Sequence, residues 1–137
     1  MSVPLRPAAA LVALILAKPG MAADCAVLEA LTNFAKTGRS PSGAECSTYL
    51  TATAADGVSC HWSFAYRDGK ALLFSDELQT NLAACRPGAP LGADPMVNHP
   101  DSYDLHEWRT PSGTYAISVK DKGALNRTLV FLRYAPD

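Results

Sequence analysis

The pattern of hydrophobic and polar positions divides the chain into two amphipathic helices and two groups of alternating strands. Apolar residues recur at intervals of three and four between Cys25 and Ala35, and this spacing predicts a helix over residues 25–37. Asp24 stands where a helix-capping side chain is expected, and Gly38 follows as a C-terminal stop.

Alternating side chains between residues 46 and 67 predict a pair of strands. The dipeptide Asp56-Gly57 predicts a hairpin turn between them, and Asp68-Gly69 predicts a second turn into a short third strand. These turns place two sets of residues on opposite faces of the sheet: Cys60, Trp62, Phe64, Tyr66 and Leu73 on one, and His61, Ser63, Ala65 and Arg67 on the other. We interpret the aromatic face as core, because aromatic side chains bury large areas in small domains.

A second helix is predicted from Ser75 to Cys85. Ser75 is a suitable N-cap, and the two acidic residues that follow it are favourable beside the positive end of a helix. Leu78, Leu82 and Cys85 fall on one side of this helix. We expect that side to pack against the aromatic face of the sheet.

The four cysteines predict two disulfide bonds, because a small exported domain gains stability from cross-links in an oxidising compartment. No C-x-x-C pair is present, which argues against a zinc–thiolate site. Packing of the second helix on the aromatic face would bring Cys85 to Cys60. We therefore predict the pairs Cys60–Cys85 and Cys25–Cys46.

The stretch 86–102 is rich in proline and glycine and has no hydrophobic period. We predict a long irregular loop here, with Met96 among its residues. Long ordered loops in compact domains often carry function. The alternative is a passive connection between the second helix and the next strands, and the sequence leaves both open.

The last third of the chain alternates again and predicts three more strands. Tyr115, Ile117 and Val119 form one inward face, and Val130 and Leu132 form another. Short connections imply antiparallel pairing. The predicted fold is therefore α+β, an antiparallel sheet with two helices on one face, in the order α-β-β-β-α-β-β-β with two disulfides.

The N-terminus predicts export. Residues 1–23 contain Arg6, a short apolar run and small residues before Asp24, the features of a signal peptide. The run is shorter than the roughly 20 residues that span a bilayer, although an uncleaved anchor is the alternative. We favour a soluble periplasmic or extracellular protein over a lipoprotein, with residues 24–137 as a single disulfide-bonded domain.

The charge of residues 24–137 excludes some classes of partner. This part of the chain has ten Lys and Arg residues and thirteen Asp and Glu residues, a net charge of −3. It contains no basic run to neutralise nucleic-acid phosphates and no basic amphipathic helix for a membrane surface. We therefore expect a protein partner in the cell envelope or outside the cell.

The histidines and acids after residue 98 are the candidates for chemistry. His99, Asp101, Asp104 and His106 carry the imidazole and carboxylate ligands that zinc and similar ions accept. Asp104 and His106 alternate and so share one face of a strand, which Trp108 continues. The run Asn98 to Asp101 is equally ordinary turn chemistry, and His106 an ordinary strand histidine.

We favour a non-catalytic binding module of the inhibitor, immunity or assembly-factor type over an enzyme. The sequence has no nucleophile elbow and no phosphate-binding glycine loop, and it predicts no cofactor and no resident metal. A core of this size also leaves little volume for a ligand pocket. The alternative is a small metal-dependent hydrolase that uses residues 99–107. The candidate binding residues are His61, Arg67, Met96, His99, Asp101, Asp104, His106 and Trp108.

Overall fold

In the computed structural model the chain forms two helices and one six-stranded antiparallel sheet. The structure describes residues 24–98 and 102–137 and the isolated positions Ser2 and Pro4, and for residues 92–98, 102 and 103 it describes the backbone alone. The predicted signal peptide therefore lies outside the described residues apart from those two positions. The helices are α1 (Ala26–Thr37) and α2 (Gly69–Cys85). The strands are β1 (Glu45–Leu50), β2 (Asp56–Ala65), β3 (Ala89–Asn98), β4 (Ser102–Thr110), β5 (Gly113–Lys122) and β6 (Arg127–Pro136), with a 3-10 helix at Gly123–Leu125.

The strand order in the sheet is β1-β2-β6-β5-β4-β3. The hairpin β1-β2 and the meander β3-β4-β5 are thus joined by the last strand of the chain, which pairs with β2 on one side and β5 on the other. The predicted α+β class, the antiparallel sheet and the presence of two disulfides are confirmed.

Both helices pack on one face of the sheet, as predicted. α1 contacts β2 and β6, and α2 contacts β5 and β6. The core between them contains Ile117 and Val119 of β5 and Val130 and Leu132 of β6, the residues that the alternation assigned to the inside. Burial of each such side chain is worth roughly 1.5–3 kcal/mol. β6 and β5 are the two middle strands of the sheet, and every second residue of each faces the helices. The core therefore lies at the centre of the sheet.

Helix α1 matches its prediction closely. The Asp24 carboxylate accepts a hydrogen bond from the backbone N–H of Ala26 at 3.0 Å, although the capping position itself is Cys25. Gly38 ends the helix with φ +66°, and its N–H donates to the Phe34 carbonyl. Glycine adopts this left-handed conformation without steric cost.

The predicted third strand is wrong, because α2 already begins at Gly69. Asp68 is the N-cap, and its carboxylate accepts from the backbone N–H of Lys70 at 3.0 Å. Leu73, predicted to line the core, is 69% exposed on the helix, and Ser75 is buried within the helix instead of capping it. The observed order is α-β-β-α-β-β-β-β.

The predicted turn at Asp56-Gly57 is also wrong. The chain turns through residues 51–55, and Gly57 lies inside β2 directly opposite Tyr49. A Cβ atom at position 57 would lie 2.5 Å from the Tyr49 ring. Glycine at position 57 therefore lets the Tyr49 ring lie close to the backbone of β2, and it does not form a turn.

The disulfide pairing also differs from the prediction. The observed register places Cys46 directly opposite Cys60, and these two residues are bonded. The second bond joins Cys25 at the start of α1 to Cys85 at the end of α2. Both predicted pairs are wrong. They depended on packing of the second helix over the aromatic face of β2, whereas α2 packs on β5 and β6.

The predicted loop at residues 86–102 is largely a strand. β3 occupies residues 89–98 at the edge of the sheet and pairs with β4. Its register shifts between Pro90 and Gly92 and again between Asp94 and Val97. Proline and glycine are tolerated at such edges and bulges, where a ladder hydrogen bond is not required.

Candidate functional site

Two regions of the described structure carry candidate functional residues. The first is the groove where β4 extends beyond α2 on the helix side of the sheet. The second is the open face, which we define as the sheet face opposite both helices. Each contains side chains that the sequence analysis selected.

The groove is built on the alternating residues of β4. Asp104, His106 and Trp108 lie opposite Val119, Ile117 and Tyr115 of β5, and therefore on the helix side of the sheet. The carboxylate oxygen Oδ2 of Asp104 lies 3.1 Å from Nε2 of His106, and both side chains are half-buried. This hydrogen bond fixes the orientation of the imidazole.

The groove exists because the sheet is wider than the layer of helices that covers it. Its volume is about 270 Å³. The lining side chains come from α2, β3, β4 and β5, and they include Leu82, Ala83, Pro90, His106, Trp108 and Ile117. Sequence analysis anticipated His106 and Trp108 but missed the α2 wall, because a shared groove depends on how far the helix reaches across the sheet.

The structure describes only two of the four predicted metal-binding residues, Asp104 and His106. His99 and Asp101 lie outside the described residues. Among the residues that the structure does describe, no group of three or more His, Cys, Asp and Glu residues is arranged to hold a metal ion. Asp104 and His106 remain together as an oriented acid–base pair, which is the part of the hydrolase hypothesis that these residues support.

The open face carries His61 of β2 and the outward residues of β6 and β5. His61 Nε2 lies 3.4 Å from a carboxylate oxygen of Glu45, and its ring lies 5.4 Å from the Phe131 ring, centroid to centroid. The Lys120 ammonium lies 5.1 Å from the centroid of the same Phe131 ring. Phe131 is therefore a half-buried aromatic centre between two nitrogen-bearing side chains.

Arginines extend this arrangement along both ends of β6. Arg133 lies 5.6 Å above the Tyr49 ring, and the Nε–H of Arg127 donates to the Ser63 hydroxyl at 2.8 Å. Both arginines are exposed.

Positive charges accumulate on the open face. Partial burial, with the nearby charges of Lys122 and Arg133, lowers the pKa of the Lys120 ammonium. The described chain as a whole is acidic, so the positive charge on this face is a local concentration and not the average of the surface. Sequence analysis missed Lys120, Phe131 and Arg133. The alternation of Phe131 and Arg133 with the inward residues of β6, and of Lys120 with those of β5, was nevertheless visible in the sequence.

Two further predicted residues lie elsewhere. Arg67 follows β2 with φ +54°, and its guanidinium Nε lies 3.6 Å from a carboxylate oxygen of Asp121. Its backbone N–H donates to the hydroxyl of Thr128 at 2.8 Å, which ties the end of β2 to β6. Met96 lies within β3, where only the backbone is described.

Comparison of the chain with protein families, with curated proteins and with solved structures finds no match. In the part of the chain that the structure describes, no helix is long and apolar enough to cross a membrane. Function therefore has to be argued from the geometry of the two regions.

Proposed function

We propose that this protein is a small exported, non-catalytic binding module that captures a partner protein with its open face. The single observation that carries the proposal is the group of three positive side chains, Lys120, Arg127 and Arg133, beside an apolar centre on a sheet face that neither helix covers. Protein interfaces commonly combine an apolar, aromatic centre with a polar rim, and arginine and aromatic residues are enriched in them.

The centre of the open face is formed by half-buried apolar side chains of β5 and β6. Leu129, Phe131 and Ala116 are neither fully buried nor fully exposed, and a partner would remove their remaining area from water. Arg127 and Arg133 flank this centre on β6. The complementary surface is an apolar side chain surrounded by Asp and Glu carboxylates, because opposite charges favour encounter and register.

Export is part of the same proposal. The two disulfides support an oxidising destination, periplasmic or extracellular. The signal peptide predicted at residues 1–23 would deliver residues 24–137 there as one domain. The partner would then be a protein of the cell envelope or of the surroundings of the cell.

The test is affinity capture from the envelope and extracellular fractions with the tagged, oxidised protein. We expect the partner to be retained by the wild type at low salt and lost from the double variant Arg127→Glu with Arg133→Glu. The reversed charges would repel the carboxylates of the partner, and like-charge contacts across an interface cost several kcal/mol.

The matched control is Lys70→Glu, a charge reversal at an exposed position on α2, on the other side of the sheet. This variant should retain the partner as the wild type does. Unfolding of all three proteins in urea should agree to about 0.5 kcal/mol, since exposed substitutions rarely change stability by more. Equal retention by the double variant, equal loss with Lys70→Glu, or the absence of any retained protein after cross-linking would contradict the proposal.

A further inference from the structure

We propose that the groove between α2 and β4 is a binding site for a small apolar ring compound that carries one hydrogen-bond donor, such as an indole or a phenol. This site lies on the helix side of the sheet, away from the open face. The inference is therefore independent of the proposed partner protein.

The size and lining of the groove define an apolar ring as the ligand. Ile117 and Leu82, which are 0% and 3% exposed, form its deep side, and Pro90 and Trp108 contribute further apolar lining. An apolar cavity of about 150 Å³ is sufficient to bind benzene. The groove, at about 270 Å³, accommodates one ring or two fused rings.

The aromatic wall is held in place before any ligand arrives. The indole N–H of Trp108 donates to the carbonyl of Arg86 at 3.1 Å. Arg86 is itself tied to the core, because its Nε–H donates to the Tyr115 hydroxyl at 3.2 Å. A wall that is already ordered loses little conformational freedom on binding, which favours affinity for a small rigid ligand.

Three polar residues line the groove, His106, Gln79 and Glu107, and all of them carry hydrogen-bond acceptors. His106 uses Nε2 toward the Asp104 carboxylate at 3.1 Å, which leaves Nδ1 as an acceptor in the neutral imidazole. The amide nitrogen of Gln79 donates one of its two N–H groups to the Ser75 hydroxyl at 3.2 Å, which leaves the second N–H and the carbonyl oxygen. Acceptors therefore outnumber free donors at this polar end of the groove.

A ligand with a donor therefore complements the polar end of the groove. A carboxylate ligand does not, because it would offer only acceptors and would meet the negative charge of Asp104. The class of ligand that fits both ends is a neutral ring compound with an N–H or O–H group.

The test is an NMR titration of the oxidised protein with indole. The Trp108 side-chain N–H resonance should shift with saturation, while that of Trp62 should stay in place, because the Trp62 N–H donates to the Ser42 carbonyl outside the groove. Benzofuran has the same shape as indole without the N–H. It should bind about fivefold more weakly, the effect of one neutral hydrogen bond.

Two substitutions on α2 make a matched pair. Ala83 lines the groove and is exposed, so Ala83→Leu should fill the groove and weaken indole binding about tenfold. Ala84 is also exposed but does not line the groove, and Ala84→Leu should leave the affinity within about twofold of the wild type.

Three results would overturn the proposal. One is an unchanged Trp108 resonance up to about 10 mM indole, roughly ten times the dissociation constant of about 1 mM expected of a weak fragment. Another is equal weakening by Ala83→Leu and Ala84→Leu. The third is benzofuran binding as tightly as indole, which would show that the groove does not select a donor.

Discussion

The two faces of β6 present opposite environments to successive residues of one strand. Val130 and Leu132 point toward the helices and are fully buried, whereas Phe131 is half-buried and Arg133 is exposed on the open face. The buried face is apolar and cross-linked, and the open face carries charge beside aromatic rings. Because side chains alternate along a strand, the ten residues of β6 contribute to both the buried face and the open face.

This difference implies that stability and recognition are separable in this protein. Substitutions in the core on the helix side should change the free energy of unfolding, and substitutions on the open face should change binding of the partner protein with little effect on folding. The predictions below test that separation, beginning with the largest expected effect.

Removing a disulfide on the helix side should cost the most. The Cys25–Cys85 bond spans 60 residues of sequence and Cys46–Cys60 spans 14. Chain-entropy estimates give about 4 kcal/mol for the first and about 3 kcal/mol for the second, because the longer loop restricts the unfolded chain more. We expect paired Cys→Ala variants to lose stability in that order in urea unfolding experiments.

Comparison with the reduced wild type is the control for this experiment. Reduction should lower the unfolding midpoint below that of either single-bond variant. A Cys25→Ala, Cys85→Ala protein as stable as the wild type would show that the helix layer does not depend on its cross-link.

The contrast between neighbouring residues of β6 should be the next largest effect. Leu132 is 0% exposed, and Leu132→Ala should lower the free energy of unfolding by about 3 kcal/mol, because it leaves a cavity between sheet and helices. Phe131→Ala, on the open face, should cost about 1 kcal/mol despite the larger side chain. Equilibrium urea unfolding measures both, and equal losses would remove the distinction between the faces.

Local patterns in the sequence predicted the parts of the fold that depend on period alone. The alternation of Tyr115, Ile117 and Val119 identified one buried face correctly, and the spacing of α1 identified its helix. The same rule placed Asp104 and His106 on one face of β4. These properties depend on residues within one turn or two strand positions of each other.

Long-range pairing was not predictable in the same way. Residues 58–65 of β2 pair with β6, more than 60 residues later, and no local pattern specifies that register. The Asp68-Gly69 pair is typical both of a hairpin turn and of a helix start. Tertiary packing favours the helix, which places the Phe74 ring 4.9 Å from the Trp62 ring.

The smallest expected effect is a pH dependence of opposite sign at one partly buried group on each face, an acid on the helix side and a base on the open face. Burial, aided by the nearby Tyr134, raises the pKa of Tyr115 on the helix side above its usual 10.0, although Arg86 opposes the shift. The stability linked to this hydroxyl is therefore fully present below pH 10.0 and is lost as the pH rises through the folded-state value. On the open face, burial and neighbouring positive charges lower the pKa of Lys120 below 10.5. Its folded state releases the proton first, so its contribution to stability increases as the pH rises toward 10.5.

Tyr115→Phe and Lys120→Met should consequently change the pH profile of stability in opposite directions. At pH 7, Tyr115→Phe should cost about 1 kcal/mol through the lost hydrogen bond to Arg86, and this deficit should shrink above pH 10.0. The stability of Lys120→Met relative to the wild type should instead fall between the lowered pKa and pH 10.5, because only the wild type gains from deprotonation. Urea unfolding at closely spaced pH values measures both slopes. Parallel slopes would mean that burial does not disfavour the charged form of one of these two groups.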